Sequence, residues 1–277
     1  MKGSGIASMN QKYGSPKQLS IWKSMRIEDF ARLASTSIPI SLIGGLVLVL
    51  GIVAYGLILL RQDPGAFHIW IREDGLAEWL TFVELSIMSI YSFTVSFSFQ
   101  HTSETKAARR VWFFLGLLFL FGAMEEISWG QRILGIKSPE WFMRHNRQGE
   151  TNIHNLMIYG KNLNRLVFGK LLTIIILIYV GVMPLLYRTN KRMKEFINRW
   201  AIPIAQNYQV LLFIIITIAI RMHLNLSKKV GELLEFSICY ITFLILAHPY
   251  NREIIPFKKG RAFARKASSD EGKEEGL

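Results

Sequence analysis

The chain has 277 residues, of which 51% are hydrophobic and only 19% are charged, and its formal net charge is +13. A soluble domain has about 25% charged residues, whereas this sequence contains several apolar runs of the roughly 18 residues that cross a bilayer core, so it predicts an all-α, polytopic transmembrane helical bundle. Lys and Arg of such proteins collect in cytoplasmic loops, so we expect membrane lipids and no nucleic acid as partners.

The chain begins with a polar, basic segment. Residues 1–36 carry six Lys and Arg residues and predict a cytoplasmic tail ahead of a transmembrane domain over 37–249. The first span is predicted at 38–60. The second, at 75–99, is rich in Ser and Thr, which favour close helix packing through interhelical hydrogen bonds.

The third span is predicted at 111–134 and is followed by an unusual segment. Residues 135–164 are too polar to span the membrane and too aromatic for a plain linker. Irregular backbone at membrane depth needs shielding by protein or by a wet cavity. We therefore predict an amphipathic or re-entrant segment that folds over the bundle.

Three further spans complete a set of about six. They are predicted at 165–187, 202–221 and 230–247, and the only cysteine, Cys239, lies in the last of them. One cysteine excludes a disulfide within the chain. The tail, 250–277, is first basic and then acidic, which is typical of a disordered segment.

The distribution of basic residues predicts the orientation. With six spans and a cytoplasmic N-terminus, the cytoplasmic segments hold 21 Lys and Arg residues and the outer segments hold 12. This excess predicts a multi-pass protein of the bacterial cytoplasmic (inner) membrane with both termini in the cytoplasm.

The segment FGAMEEISWGQR, residues 121–132, carries the strongest functional signal. It places Glu125 and Glu126 at the end of an apolar run, where an ionised carboxylate costs about 2.5–3.5 kcal/mol near the bilayer centre. Ser128, Trp129 and Arg132 follow at helical spacing, so we expect them on one helical face with Glu125.

The predicted topology brings further polar residues to the same, outer side of the membrane. We expect a catalytic group formed by Glu125, Glu126, Arg132 and His154. The candidate substrate-binding residues are Trp129, Gln131, Glu150, Asn155, Arg221 and Glu235.

Three chemistries are compatible with this set. The first is a divalent metal site, because carboxylate oxygens and imidazole nitrogens are suitable ligands. Its candidate ligands are Glu125 or Glu126, His154, His223 and Glu235, and His223 is proposed only as a metal ligand. Alternatively, one glutamate acts without metal as an acid or base on a lipid or peptide. Transport or binding of a small anion or lipid head group is the third.

A non-catalytic interpretation is equally concrete. Glu125 or Glu126 would pair with Arg132 or Arg221, and Glu235 with Arg221 or Lys228, so that the charges only fasten helices together. Closed one-to-one ion pairs would support this interpretation. A carboxylate within hydrogen-bond reach of a histidine and open to lipid or water would support an enzyme.

Three strings, REDGLAEWLT (72–81), EEISWGQRILG (125–135) and QGETNIHN (148–155), carry a resemblance. They resemble a family of uncharacterised multi-spanning bacterial membrane proteins over roughly residues 40–250. The resemblance implies a helical membrane fold. A function of binding or acting on a lipid-linked or membrane-embedded substrate is our own expectation.

The paired glutamates are also similar to those of glutamate-dependent, CAAX-protease-like membrane proteins. That family has a Glu-Glu-x-x-x-Arg motif in a span and histidines in later spans. Glu125 and Glu126 match the pair, whereas Gly130 occupies the arginine position and Arg132 comes two residues later. The resemblance implies an intramembrane hydrolase as an alternative function.

Overall fold

The computed structural model of the protein describes residues 40–72, 75–153, 155–158, 161–162, 171–227 and 229–256. The chain forms two compact units, Met1–Leu46 and Val47–Leu277. The first unit is described only from residue 40, where the first helix begins. The predicted tail at 1–36 lies outside the described residues.

The regular secondary structure of the described residues is helical apart from two strands of two residues each. In chain order the helices are α1 (Ile40–Gln62), α2 (Pro64–Trp70), α3 (Leu76–Ser98), α4 (Lys106–Glu126), α5 (Gln131–Leu134), α6 (Glu140–His145), α7 (Leu172–Thr189), α8 (Lys191–Arg199), α9 (Asn207–Arg221) and α10 (Val230–Ala247). The strands, β1 (Met157–Ile158) and β2 (Lys161–Asn162), pair in antiparallel register.

Five of these helices, α1, α3, α4, α7 and α10, are long and apolar enough to cross a membrane. The predicted all-α polytopic fold is thereby confirmed. The fifth predicted span, at 202–221, is shorter than expected: α9 has 15 residues, or about 22 Å of helix, against a core of about 30 Å. It begins at Asn207 because residues 202–205 are non-helical around Pro203, and a proline disfavours helix in the residue before it.

Small residues let α3 and α4 approach closely, as the Ser-rich pattern predicted. Ser89 Oγ donates to the Gly116 carbonyl at 2.9 Å, and Ser96 Oγ donates to the Arg109 carbonyl at 2.9 Å. A Cβ atom on Gly116 would lie 2.8 Å from the Phe93 ring. The two helices therefore depend on glycine and serine at their contact, as membrane helices commonly do.

Pro184 lies inside α7 without ending it. The five residues Ile178–Val182, which end two positions before Pro184, form a π-helical turn. A proline removes one backbone donor and its ring crowds the carbonyl four residues earlier. The wider turn accommodates that ring, so α7 continues to Thr189.

The bundle has two structurally different ends. At the Arg192 end, defined as residues 99–110, 188–206 and 248–256, the Trp112 indole N–H donates to the Ala201 carbonyl at 3.0 Å, and the Tyr250 N–H donates to the Ile204 carbonyl at 2.7 Å. These contacts bring the start of α4 to the segment that follows α8. Residues 250–256, predicted to belong to the tail, also contribute here, since Asn251 and Ile255 are buried.

The opposite end holds the EEISWGQR motif. We define the Glu125 end as residues 75–78, 125–158 and 221–235, where α3 and α10 begin and α4 and α9 end. Glu78, Glu125, Glu126 and Glu150 of the sequence motifs lie at this end.

Candidate functional site

The helix that carries the motif ends at Glu126 and not at residue 134. Ser128, Trp129 and Gly130 have φ angles of 47°, 55° and 75°, which form a left-handed turn before α5. The expectation that Glu125, Ser128, Trp129 and Arg132 share one helical face is therefore wrong. Left-handed conformations cost an L-residue about 1–2 kcal/mol, so the surrounding contacts must hold this turn in place.

The Glu125 carboxylate supplies two of these contacts. Its Oε1 accepts the Trp129 indole N–H at 2.7 Å, and its Oε2 accepts the Ile153 backbone N–H at 2.6 Å. Glu125 is only 3% exposed. One buried side chain thus fixes both the left-handed turn and the loop that contains the second motif, QGETNIHN.

Arg132 is the cation at the centre of the site. Its guanidinium donates to Glu150 Oε1 at 3.2 Å, to Glu78 Oε1 at 3.4 Å and to the Glu126 backbone carbonyl at 3.2 Å. The expected pairing with the carboxylate of Glu125 or Glu126 does not occur. Arg132 instead joins the start of α3, the end of α4 and the following loop.

The second motif, QGETNIHN, forms a network of side-chain hydrogen bonds that packs against the left-handed turn. Ser128 Oγ donates to Glu150 Oε2 and accepts the Asn152 side-chain amide at 2.9 Å. Asn146 Nδ2 donates to Asn152 Oδ1 at 2.8 Å, and Asn155 Nδ2 donates to Gln148 Oε1. Ser128, Asn146, Asn152 and Asn155 are all buried, so the loop is part of the folded core of this end.

Gln131, predicted to bind substrate, forms hydrogen bonds with other residues of the protein. Its side-chain N–H donates to Ser138 Oγ at 2.7 Å, and its carbonyl oxygen accepts the Thr151 backbone N–H at 2.7 Å. Both polar ends of the side chain are therefore used by the fold. Gln131 orders the loop, whereas Trp129 remains 46% exposed.

Glu126 differs from its neighbour. Its carboxyl forms no hydrogen bond or ion pair with the described part of the chain, and four carboxylates lie close enough to repel a charge on it. These are Glu78, Glu125, Glu232 and Glu235. Glu126 is partly buried, whereas the side chains of Glu232 and Glu235 on α10 are exposed.

A second unpaired carboxylate lies deeper in the same bundle. Glu84 Oε2, on α3, is buried and has no hydrogen-bond partner in the described residues. Glu84, Glu126 and Glu235, from three helices, all lie near enough to the Cys239 thiol of α10 to act on it electrostatically. Glu78, Glu84 and Glu232 were not among the predicted site residues, although an acidic residue within an apolar run is the signal that marks each of them.

The predicted histidines do not form a site in the described residues. His154 lies outside them. His223, at the end of α9, accepts the Arg61 Nε–H at 3.1 Å through Nε2 and is hydrogen-bonded through Nδ1 to the Ala219 carbonyl at 2.7 Å. Both ring nitrogens are thus in use, while Arg221 is exposed.

Metal binding was one of the predicted chemistries. Over the ranges that the structure describes, no group of three or more His, Cys, Asp or Glu side chains is placed to hold a metal ion. The predicted set of Glu125, His154 and His223 stays a prediction, because one of its members lies outside these ranges.

Comparisons of the chain with family models, with curated proteins and with solved structures find no match. The site therefore has to be interpreted from its own geometry.

Proposed function

We propose that the protein is an enzyme of the bacterial cytoplasmic membrane in which Glu126 serves as the general acid–base group toward a lipid-linked or membrane-embedded substrate. The observation that carries this proposal is the contrast within the glutamate pair. Glu125 is held by two hydrogen bonds, whereas Glu126 has no partner in the described residues and is surrounded by carboxylates.

A carboxyl group with like-charged neighbours and no cation is suited to exchange a proton. Arg132, whose guanidinium contacts the Glu126 backbone carbonyl, binds the carboxylates of Glu78 and Glu150 and not that of Glu126. Arg132 therefore positions the loop and leaves the Glu126 carboxyl available to a substrate.

A second carboxylate, Glu235 of α10, acts electrostatically on Glu126. Glu235 is exposed and Glu126 is partly buried.

The surface beside the turn indicates an amphipathic substrate. Trp129, Ile133 and Leu134 are 46%, 61% and 69% exposed, next to the buried network of Glu125 and Arg132. An apolar surface bordering a polar site matches a molecule with an acyl or prenyl chain and a polar head. By the positive-inside rule the Arg192 end faces the cytoplasm and this site faces outward.

The test uses purified full-length protein in vesicles made from the polar lipid extract of a bacterial inner membrane. Mass spectrometry follows every lipid species with time. We expect the wild-type protein to convert at least one species, and Glu126→Gln to lower the rate by about 10²–10⁴-fold, the contribution of a general acid or base.

Glu140→Gln is the matched control, because Glu140 lies at the same end in an exposed ion pair with Arg144 and should leave the rate unchanged. Unfolding temperatures of both variants exclude a folding defect. The proposal is wrong if the wild-type protein converts nothing or if Glu126→Gln retains the wild-type rate.

A further inference from the structure

α8 is an amphipathic helix at the Arg192 end. It begins one residue after the membrane-spanning helix α7 ends at Thr189, and Asn190 Oδ1 caps it by accepting the Met193 N–H at 3.1 Å. Because only one residue separates the two helices, α8 lies at the depth where the chain leaves the membrane.

One face of α8 is docked onto the bundle. Ile197 is fully buried in a cluster with Tyr187 and Ile204, and Met193 packs against the same cluster. The Tyr187 hydroxyl also donates to Asn198 Oδ1 at 3.0 Å. These contacts hold the helix in a defined orientation and so determine which residues face outward.

The outward face combines two arginines with two aromatic rings. Arg192 and Arg199 are seven residues apart, which places them one above the other on a helix, and both are exposed. Phe196 lies between them and is 50% exposed. Its ring is 5.7 Å from that of Trp200.

Most of the charged residues of α8 are positive. Its exposed cations are Lys191, Arg192, Lys194 and Arg199, and its only acidic residue, Glu195, lies 3.9 Å from Lys191. Neither arginine of the outward face forms a hydrogen bond or ion pair with the described residues. Their guanidinium groups remain available to an external anion.

We propose that the Arg192–Phe196–Arg199–Trp200 face binds the head group of an anionic phospholipid. A guanidinium matches phosphate oxygens in bidentate geometry, and aromatic rings favour the level of the head groups. The aromatic pair distinguishes a lipid from free phosphate, because only a lipid supplies apolar surface for the rings. This inference does not depend on the function proposed for Glu126.

The probe is phosphatidylglycerol mixed with phosphatidylcholine in vesicles that contain the full-length protein, with bromine on the chains of one lipid or the other. Bromine quenches tryptophan fluorescence on contact. We expect stronger quenching by brominated phosphatidylglycerol, and Trp200→Phe should remove most of the difference. Arg192→Gln/Arg199→Gln should lower the preference about 30-fold at low salt, since each surface cation is worth about 1 kcal/mol.

Lys106→Gln/Arg110→Gln is the matched control, because it removes two exposed cations from the same end and should keep the preference. Arg192→Lys/Arg199→Lys keeps the charge but loses the bidentate geometry, so it should keep only part of the preference and more than the double Gln variant, which separates loss of charge from misfolding. Equal quenching by the two lipids, equal loss in both double Gln variants, or displacement by soluble glycerol phosphate would each overturn the proposal.

Discussion

The two ends of the bundle close their helices by different physical means. At the Arg192 end a buried neutral side chain joins two segments: Asn251 donates to the Ile202 carbonyl at 2.9 Å and accepts the Ile204 N–H at 3.0 Å. At the Glu125 end the central contacts are ionic and run from Arg132 to Glu78 and Glu150. The neutral contact satisfies backbone groups, whereas the ionic network lies beside the Glu126 carboxyl, which has no hydrogen-bond partner in the described residues.

The difference also separates stability from function. A fully satisfied neutral contact has no capacity to exchange a proton or bind a charged group. The Glu125 end contains both kinds of carboxylate, because Glu125 is closed in the network and Glu126 is not. We infer that this network holds the left-handed turn and keeps the adjacent Glu126 carboxyl without a hydrogen-bond partner among the described residues, as the proposed function requires.

The largest expected effect concerns which side of the membrane each end faces. In a Cys239→Ser background, Glu140→Cys at the Glu125 end should react fully with a membrane-impermeant maleimide in spheroplasts. Lys191→Cys should react only after the membrane is permeabilised, because the proposed orientation places the basic end in the cytoplasm. Both positions are exposed, so the reverse pattern would show that the proposed orientation is wrong.

Removing the central cation should have the next largest effect. Arg132→Met leaves Glu78 and Glu150, which are mostly buried, without their cation and should lower the free energy of unfolding by about 3 kcal/mol. Denaturation in detergent measures this loss. Adding Glu150→Gln should restore part of it, because the unpaired charge is gone; a further loss in the double variant would contradict the network.

The smallest effects come from backbone conformation, in a matched pair. Gly130 has φ +75° and room for a Cβ atom, whose nearest contact would be Leu134 Cδ1 at 3.9 Å, so Gly130→Ala should cost about 1 kcal/mol through strain alone. Ala201, with φ 49°, is already strained. Ala201→Gly should be nearly neutral in unfolding measurements, because about 1 kcal/mol of relief is offset by about 0.8 kcal/mol of lost methyl burial. An equal loss in the free energy of unfolding for both variants would show that packing, and not the φ angle, determines the effect of these substitutions.

Sequence reasoning led to the residues of the candidate site but did not predict the contacts between them. Apolar runs with misplaced carboxylates led to Glu125 and Glu126, and the string QGETNIHN led to the loop that packs on them. The spacing from Glu125 to Arg132 suggested one helical face, and this failed because three successive residues adopt positive φ. Helical periodicity applies only while the helix continues, and no composition rule indicated that it ends at Glu126.

The sequence by itself determined the membrane class, the approximate spans, the Ser- and Gly-mediated packing of α3 on α4 and the region that holds the acidic residues. These follow from properties that add up locally along the chain, such as hydropathy and residue size. Only the tertiary structure decided that Arg132 pairs with Glu78 and Glu150. It also decided that the Glu125 carboxylate is hydrogen-bonded whereas that of Glu126 has no partner in the described residues. Partner choice depends on distances between residues far apart in the chain, and a single left-handed turn changes those distances for every side chain around it.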